Sequence, residues 1–227
     1  MNAQKIALLI PMKGNSERVK KKNLRIFDGH PLYHAIIKEL KESKLITHFV
    51  VNTDCEEIKE DIKKNFPFII IVDRPKEICG DFVPMNDVID YDMGQINADI
   101  YIQTHSTNPL LRHETLDKAI EQFLNAKGEY DSVFSVTRLQ TRFYWEDGSP
   151  INHNPNELLR TQDLPAVFEE NSNFFIFTKD SFDSVGKKRI GKKPLMFPMG
   201  KIESQDIDEP EDFILAETLY KIRHDIR

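Results

Sequence analysis

A chain of 227 residues, 40% hydrophobic and 30% charged, can bury one sizeable core, and its nine glycines and twelve prolines are too few for a linker-rich or low-complexity protein. The longest early apolar run, Ile6–Ile10, excludes a signal peptide or membrane span near the start, and nothing later approaches the roughly 18 apolar residues a span needs. Two cysteines, Cys55 and Cys79, suit a reducing cytoplasm and exclude a disulfide framework, while the net charge of −6 conceals a basic island: Lys13, Arg18, Lys20, Lys21, Lys22 and Arg25 against Glu17, a local +5.

Along the chain, short apolar runs alternate with helical periodicity. Ile6–Pro11 reads as a buried strand feeding a Lys/Gly turn. Leu32, Ile36, Ile37 and Leu40 share one helical face after Pro31. His48–Thr53 reads as a strand, Glu56–Asn65 as a helix held by Ile58 and Ile62, and Phe68–Val72 as a strand. Asn86–Ile96 is predicted helical, Asp99–Gln103 extended, Glu114–Ala126 helical and Ser132–Thr137 extended. This rhythm predicts a mostly parallel sheet with helices on both faces. Residues 138–200 read as an excursion within one domain spanning 1–227, although Phe174–Phe177 and Leu195–Pro198 have strand character. Glu209–Arg223 is predicted to be the last helix, with Phe213, Ala216, Leu219 and Tyr220 inward.

The loop Met12-Lys13-Gly14-Asn15-Ser16-Glu17-Arg18, continuing to Lys22 and Asn23, follows the first strand and so stands at the carboxyl edge of the sheet. Lys13, Arg18 and Lys22 can neutralise phosphate charge, and Gly14 allows close backbone approach. Neither a GxxxxGK[ST] loop nor a GxGxxG fingerprint is present, and a solvated basic turn is the plainer reading of the loop alone. A basic island in an acidic chain argues for a local anion site and against a nucleic-acid surface. Asp206 and Asp208, two apart on an extended segment, project to the same side and can approach one hard cation; alternatively Asp208 caps a helix with Glu211 as its partner. His113, His153 and His224 lack metal-ligand spacing. His30 and His34, i and i+4 at a helix start, lack a zinc-site companion. Lys187–Lys193 reads as a solvated loop, and Phe174, Phe175 and Phe177 as strand core.

IPMKGNSERVKKKN resembles the IPARGGSKRIPRKN-type signature of acylneuraminate cytidylyltransferases, the CMP-sialic acid synthetases. The resemblance continues in register through Val51-Asn52-Thr53-Asp54, Arg74-Pro75-Lys76-Glu77-Ile78 with Asp81, Thr107-Asn108-Pro109-Leu110, Gln162-Asp163-Leu164-Pro165 with Glu170-Asn171, and Ser204-Gln205-Asp206-Ile207-Asp208. It implies a Rossmann-like α/β nucleotidyltransferase fold that moves CMP from CTP to the anomeric hydroxyl of an ulosonic acid, with Mg²⁺ or Mn²⁺ and release of pyrophosphate. It further implies a homodimer whose excursion lets one subunit complete the other's site. By analogy Lys13, Lys22 and Asp206 are catalytic. Met12, Lys13, Gly14, Asn15, Ser16, Arg18, Lys22, Asn23, Arg74, Asp81 and Met85 hold the nucleotide; His105, Thr161, Asn171 and Phe175 hold the sugar; and Asp206 and Asp208 hold the metal. As exposed loop charges, Lys13 and Lys22 are expected to contribute little to folding.

Departures from the signature fall at Glu17, Pro84, Met85, His105, Thr161, Ser172 and Phe175. Those at His105, Thr161 and Phe175 favour a deoxy or di-acylamido relative of sialic acid, or another acidic sugar, over N-acetylneuraminate. The alternatives are a different nucleoside triphosphate and a non-catalytic binding relative. A GT-A-like glycosyltransferase lacks the mid-chain DxD it would need.

Overall fold

Every residue of β1 (Ile6–Met12) is buried, the signature of a strand covered on both faces. Its side chains alternate accordingly: Ile6, Leu8, Ile10 and Met12 enter one core, Ala7 and Leu9 another. The computed structural model describes residues 4–14 and 19–225. After β1 come a two-stranded hairpin, β2 (Ile26–Phe27) and β3 (His30–Pro31), then α1 (Tyr33–Leu40), β4 (His48–Thr53), α2 (Glu56–Asn65) and β5 (Ile70–Asp73). Next are α3 (Met85–Gln95), β6 (Ile100–Thr104), α4 (His113–Asn125) and β7 (Ser132–Leu139). The chain closes with β8 (Val167–Phe177), α5 (Lys179–Ser184), β9 (Pro194–Met199) and α6 (Pro210–Asp225).

Seven strands form one sheet in the order β5-β4-β1-β6-β8-β7-β9. All neighbours are parallel except those involving β8, which runs antiparallel to β6 and β7. α1, α2 and α4 cover one face through Ile36, Ile58, Ile62, Leu116 and Ile120. α3 and α5 cover the other through Ile89, Met93 and Phe182. This is the predicted mostly parallel α/β sheet. β1 has β4 on one side and β6 on the other, so the strand order reverses there, and the crevice outside the carboxyl ends of β1 and β6 is where such sheets bind ligands.

Several expectations change. The Asp28–Gly29 turn, with φ of 49° and 79°, joins β2 to β3 as a tight hairpin, so His30 lies on a strand and the helix starts at Tyr33. Phe27 packs with Leu32, Ile207, Phe213 and Ala216 in a third apolar cluster, which seats α6 on this hairpin. β8 begins seven residues earlier than its apolar run, because Val167–Glu170 pairs with Val136–Leu139 through β8 positions that are mostly exposed and end in two glutamates. Within the stretch 138–200, β8 and β9 belong to the sheet itself; outside it stand 140–166, with a turn closed by the Tyr144–Pro150 bridge, and 178–193, with α5 and the basic loop. No helix among the described residues is long and apolar enough to cross a membrane.

Ser172 takes a left-handed backbone conformation, φ 54°, within β8 beside the register shift between Phe134 and Val136. A side chain with a Cβ is disfavoured there, and a glycine is not. Ser172→Gly should therefore raise stability, by about 1 kcal/mol at most once glycine's larger chain entropy is counted. Urea denaturation of the two proteins checks this; a less stable variant would show that the Ser172 hydroxyl carries the turn.

Candidate functional site

Two cavities open at the carboxyl edge of the sheet and meet along one wall. The first, about 250 Å³, is lined by Met12, Lys13, Lys22, Asn23, Arg74, Asp81, Met85, His105 and Thr107 among others. The second, about 540 Å³, is lined by Glu169, Glu170, Asn171, Lys201, Asp206, Asp208 and Asp212 among others. The shared wall is built where the Ile207 amide donates to the Thr107 carbonyl at 3.0 Å. One cavity is thus supplied with cations and the other with carboxylates.

The loop after β1 is braced from three sides. The Gly14 amide donates to Asp54 Oδ1 at 3.0 Å. A Cβ at Gly14 would stand 2.7 Å from Cys55 Cβ, so only glycine fits against the end of β4. Buried Asn23 donates to the Lys13 carbonyl at 2.8 Å and accepts from Ser106 at 2.6 Å, tying the loop to the end of β6. Asn23 therefore lines the first cavity with its amide already engaged by protein. Asn15, Ser16 and Arg18 lie outside the described residues.

The basic island does not act as one unit. Lys21 pairs with Glu57 at 3.1 Å and Arg25 stacks over Phe213 at 4.3 Å; of its described members, Lys13 and Lys22 line the first cavity. Lys13 is ion-paired with Asp81. Lys22 corrects the expectation of an exposed charge. Its side chain is 10% accessible, and Nζ donates to the Ile207 carbonyl at 2.5 Å and stands 3.6 Å from Asp208 Oδ1. Removing it would leave a buried carbonyl without that donor, so Lys22→Ala should cost stability as well as any function.

Arg74 is positioned by its backbone surroundings and by a buried side-chain network. It donates to Asn52 Oδ1 at 2.6 Å and to the Asn52 and Met12 carbonyls at 3.2 and 3.3 Å. Asn52 in turn donates to Asp92 Oδ1 at 2.6 Å, and Asp92 is wholly buried with Oδ2 unpartnered. Asp92 follows no motif, and sequence reasoning missed it. Its only signal was an acid on the inward face of α3, between Ile89 and Met93.

Asp206 and Asp208 both line the second cavity, because Ile207 between them is buried in the apolar cluster under α6. Asn108 donates to Asp206 Oδ1 at 3.3 Å. Burial, reinforced by the Asp208 charge, pushes the Asp206 carboxyl upward against hydrogen bonds from Thr107 and the backbone. The carboxylate that reaches back at the start of α6 is Asp212, accepting from the amides of Asp208 and Glu209 at 3.1 and 2.8 Å, not Glu211. The predicted sugar residues scatter. His105 lines the first cavity and Asn171 the second. Thr161 stands exposed in a single 3-10 turn, lining neither. Phe175 is 1% accessible in the core beneath the sheet, since both faces of β8 are covered there.

A doubly covered sheet with a cationic crevice at its switch point, and a carboxylate pair beside it, defines a nucleotidyltransferase-type α/β protein. The same fold occurs in CMP:2-keto-3-deoxy-manno-octonic acid synthetase solved with CTP, at a TM-score of 0.73 and 12% identity over 96% of this chain and 99% of that one. It occurs also in 4-diphosphocytidyl-2C-methyl-D-erythritol synthase of Anaerococcus prevotii, at 0.68 and 13% over 97% of each. Residues 7–219 match the cytidylyltransferase family, and the chain belongs to it. Pseudaminic acid cytidylyltransferase of Campylobacter jejuni is 25% identical over 96% of this chain and 97% of its own length. N-acylneuraminate cytidylyltransferase A of Danio rerio is 29% identical over 93% of this chain but 50% of its own, so the chain spans about half of that relative. The motif resemblance is borne out at the level of the family.

Asp92 yields a signed pH dependence. Burial raises its pKa to about 7, against the opposing pull of Asn52 and Arg74, so the folded state holds a proton that the unfolded chain releases near pH 4. Stability from this group is therefore greatest below about pH 4 and is lost as pH rises to about 7, on the order of 4 kcal/mol in all. Asp92→Asn should be relatively more stable than wild type at pH 8 than at pH 5 in urea denaturation. A difference independent of pH would mean that Arg74 keeps Asp92 ionised throughout.

Proposed function

We propose that the protein transfers CMP from CTP to the anomeric hydroxyl of an acidic ulosonic sugar and releases pyrophosphate. One observation carries this reading: the cationic cavity and the carboxylate cavity share a wall, with Lys22 Nζ 3.6 Å from Asp208. Negative charge accumulates on the α-phosphate and the leaving pyrophosphate in such a transfer, and fixed cations lower that barrier without reorganising. Lys13 and Lys22 fill this role, with Arg74 held on the same cavity by Asn52. Gly14, expected to bring its backbone to the phosphates, is instead spent on the protein, its amide on Asp54 and its Cα against Cys55, while Met85, first residue of α3, closes the nucleotide side.

The donor set fits a hard divalent cation. Two carboxylates face one cavity, and burial and mutual repulsion disfavour the charge on Asp206, as expected where a cation is needed to balance it. Asp206 and Asp208 would hold Mg²⁺ or Mn²⁺, which when bound supplies charge neutralisation for the phosphates and acidifies a nearby hydroxyl. Asn171, donating to Thr137 at 3.1 Å, borders the same cavity on the sugar side.

For the sugar, the two named sequence relatives support the nonulosonic class, the octonic acid synthetase sharing the fold alone, and the argument for a changed substrate narrows. Of His105, Thr161 and Phe175, His105 alone lines one of the two cavities at the carboxyl edge. Thr161 would meet a sugar only across a homodimer, with the exposed Trp145, Leu158 and Phe168 of the same region as its apolar contact surface. A dimeric mass by light scattering is expected; a monomer at all concentrations would leave Thr161 without a role.

The test is pyrophosphate release from each of four nucleoside triphosphates crossed with nine-carbon and eight-carbon acidic sugars. CTP with a deoxy or di-acylamido nonulosonate should give the highest kcat/KM, and N-acetylneuraminate a low one; clear preference for N-acetylneuraminate would refute the substrate assignment. Chelation should abolish release. Asp206→Asn should lower it by about 100-fold or more while leaving the fold intact, and Lys13→Ala by the roughly 2–4 kcal/mol typical of a lost preorganised charge partner.

A further inference from the structure

Gln103, near the end of β6, is fully buried, and its two amide ends meet partners of opposite kind. Its Oε1 accepts from Arg189 Nη1 at 2.6 Å, and its Nε2 donates to the Thr104 carbonyl at 2.9 Å. Turning the amide over would set NH₂ against a guanidinium and oxygen against a carbonyl, so its orientation is chemically determined. The same Nε2 lies 3.0 Å from Nε2 of His105. With one amide hydrogen on Thr104, the other is available to the imidazole, so His105 Nε2 must be the acceptor and the neutral ring carries its proton on Nδ1.

Arg189 is itself held in place. Its guanidinium stacks 4.1 Å over the buried ring of Phe175, and Nε donates to Asn86 at 3.2 Å. This residue lies in the basic stretch 187–193 that the sequence assigns to solvent, yet it is the one that turns inward. Burial, with Arg189 and Lys22 nearby, pushes the His105 imidazole down to about 4 against the pull of Asp208, so the ring is neutral near pH 7. Nδ1 has no hydrogen-bond partner among the described residues, and the ring lines the first cavity beside Ser106 and Thr107. His105 follows β6, the neighbour of β8, whose Glu169–Ser172 line the carboxylate cavity, whereas Arg74 follows β5, on the far side of β4 and β1.

The geometry points to Arg189 and Gln103 as positioning residues that lock His105 in its Nδ1–H form, making it a neutral donor to an acceptor oxygen of the sugar, and this rests on the acidic-sugar reading above. A side-chain amide at this position could offer either a donor or an acceptor. A locked imidazole offers a donor alone, so it selects a carboxylate or carbonyl oxygen and rejects a group that must itself donate. Phe175 then acts from the core, as the platform for Arg189.

Protein labelled with ¹⁵N-histidine gives the tautomer directly by long-range ¹H–¹⁵N NMR, with the His105 signals identified by their loss in His105→Gln. The Nδ1–H pattern is expected at pH 7. Gln103→Glu replaces the donor by an acceptor and should convert the ring to the Nε2–H or charged form. Arg189→Met, in a loop outside the sheet, should give a mixture of tautomers and guards against misfolding of the buried variant. Both should raise KM for the sugar at least tenfold, and by several-fold more than they raise KM for CTP. A wild-type ring that is charged or protonated on Nε2 overturns the proposal, as does an unchanged sugar KM in a variant whose tautomer has switched. Failure of the acidic-sugar reading looks different: wild-type protein would release no pyrophosphate with any acidic sugar, whatever form the imidazole takes.

Discussion

The buried ammonium of Lys22 is the joint on which the site depends. It reaches across 185 residues of sequence to the Ile207 carbonyl, and so ties the loop after β1 to the segment before α6. A cation taken out of water needs partners, and here the partners are a backbone oxygen and, 3.6 Å away, Asp208. The distance between the cationic and acidic cavities is therefore set by how α6 packs on the β2–β3 hairpin through Phe27, Ile207 and Phe213. Apolar packing remote from any ligand fixes the spacing of the charges.

Much of this architecture is legible in the residues. β1, β4, α2, β6 and α4 fall within a residue or two of their expected bounds, because strands covered on both faces read as continuous apolar runs and helices carry a single inward stripe. The β2–β3 hairpin had its signal in Asp28–Gly29, which was overshadowed by the helical spacing that follows it. The early part of β8 was obscured because its partner, β7, satisfies its backbone while its side chains face solvent.

The side-chain networks behind the site were not legible, for a different reason. Asp92, Asn52 and Arg74 come from three separate stretches, and Arg189 comes from a distant loop to meet Gln103 and His105 at the end of β6. Nothing local distinguishes Arg189 from the lysines around it; only the place it occupies over Phe175 removes it from water. Composition locates charge along a chain, but which charge is buried follows from tertiary partners. The motif residues that were foreseen supply the groups facing the cavities, and the unforeseen ones determine which way those groups point.

The antiparallel strand β8 has a consequence for how the molecule assembles. Strands β5, β4, β1 and β6 come from residues 6–104 and pair among themselves, yet β6 keeps an open edge until β8 arrives from residues 167–177. β7 cannot close that edge, since it neighbours β6 only through β8. During synthesis the growing chain thus presents one open edge of β6 while more than sixty residues are still being added. Such an edge is a template for pairing with other chains. The stretch of β8 that meets this edge, Phe174–Phe177, is itself apolar, so both sides of the pairing carry the hazard until they meet.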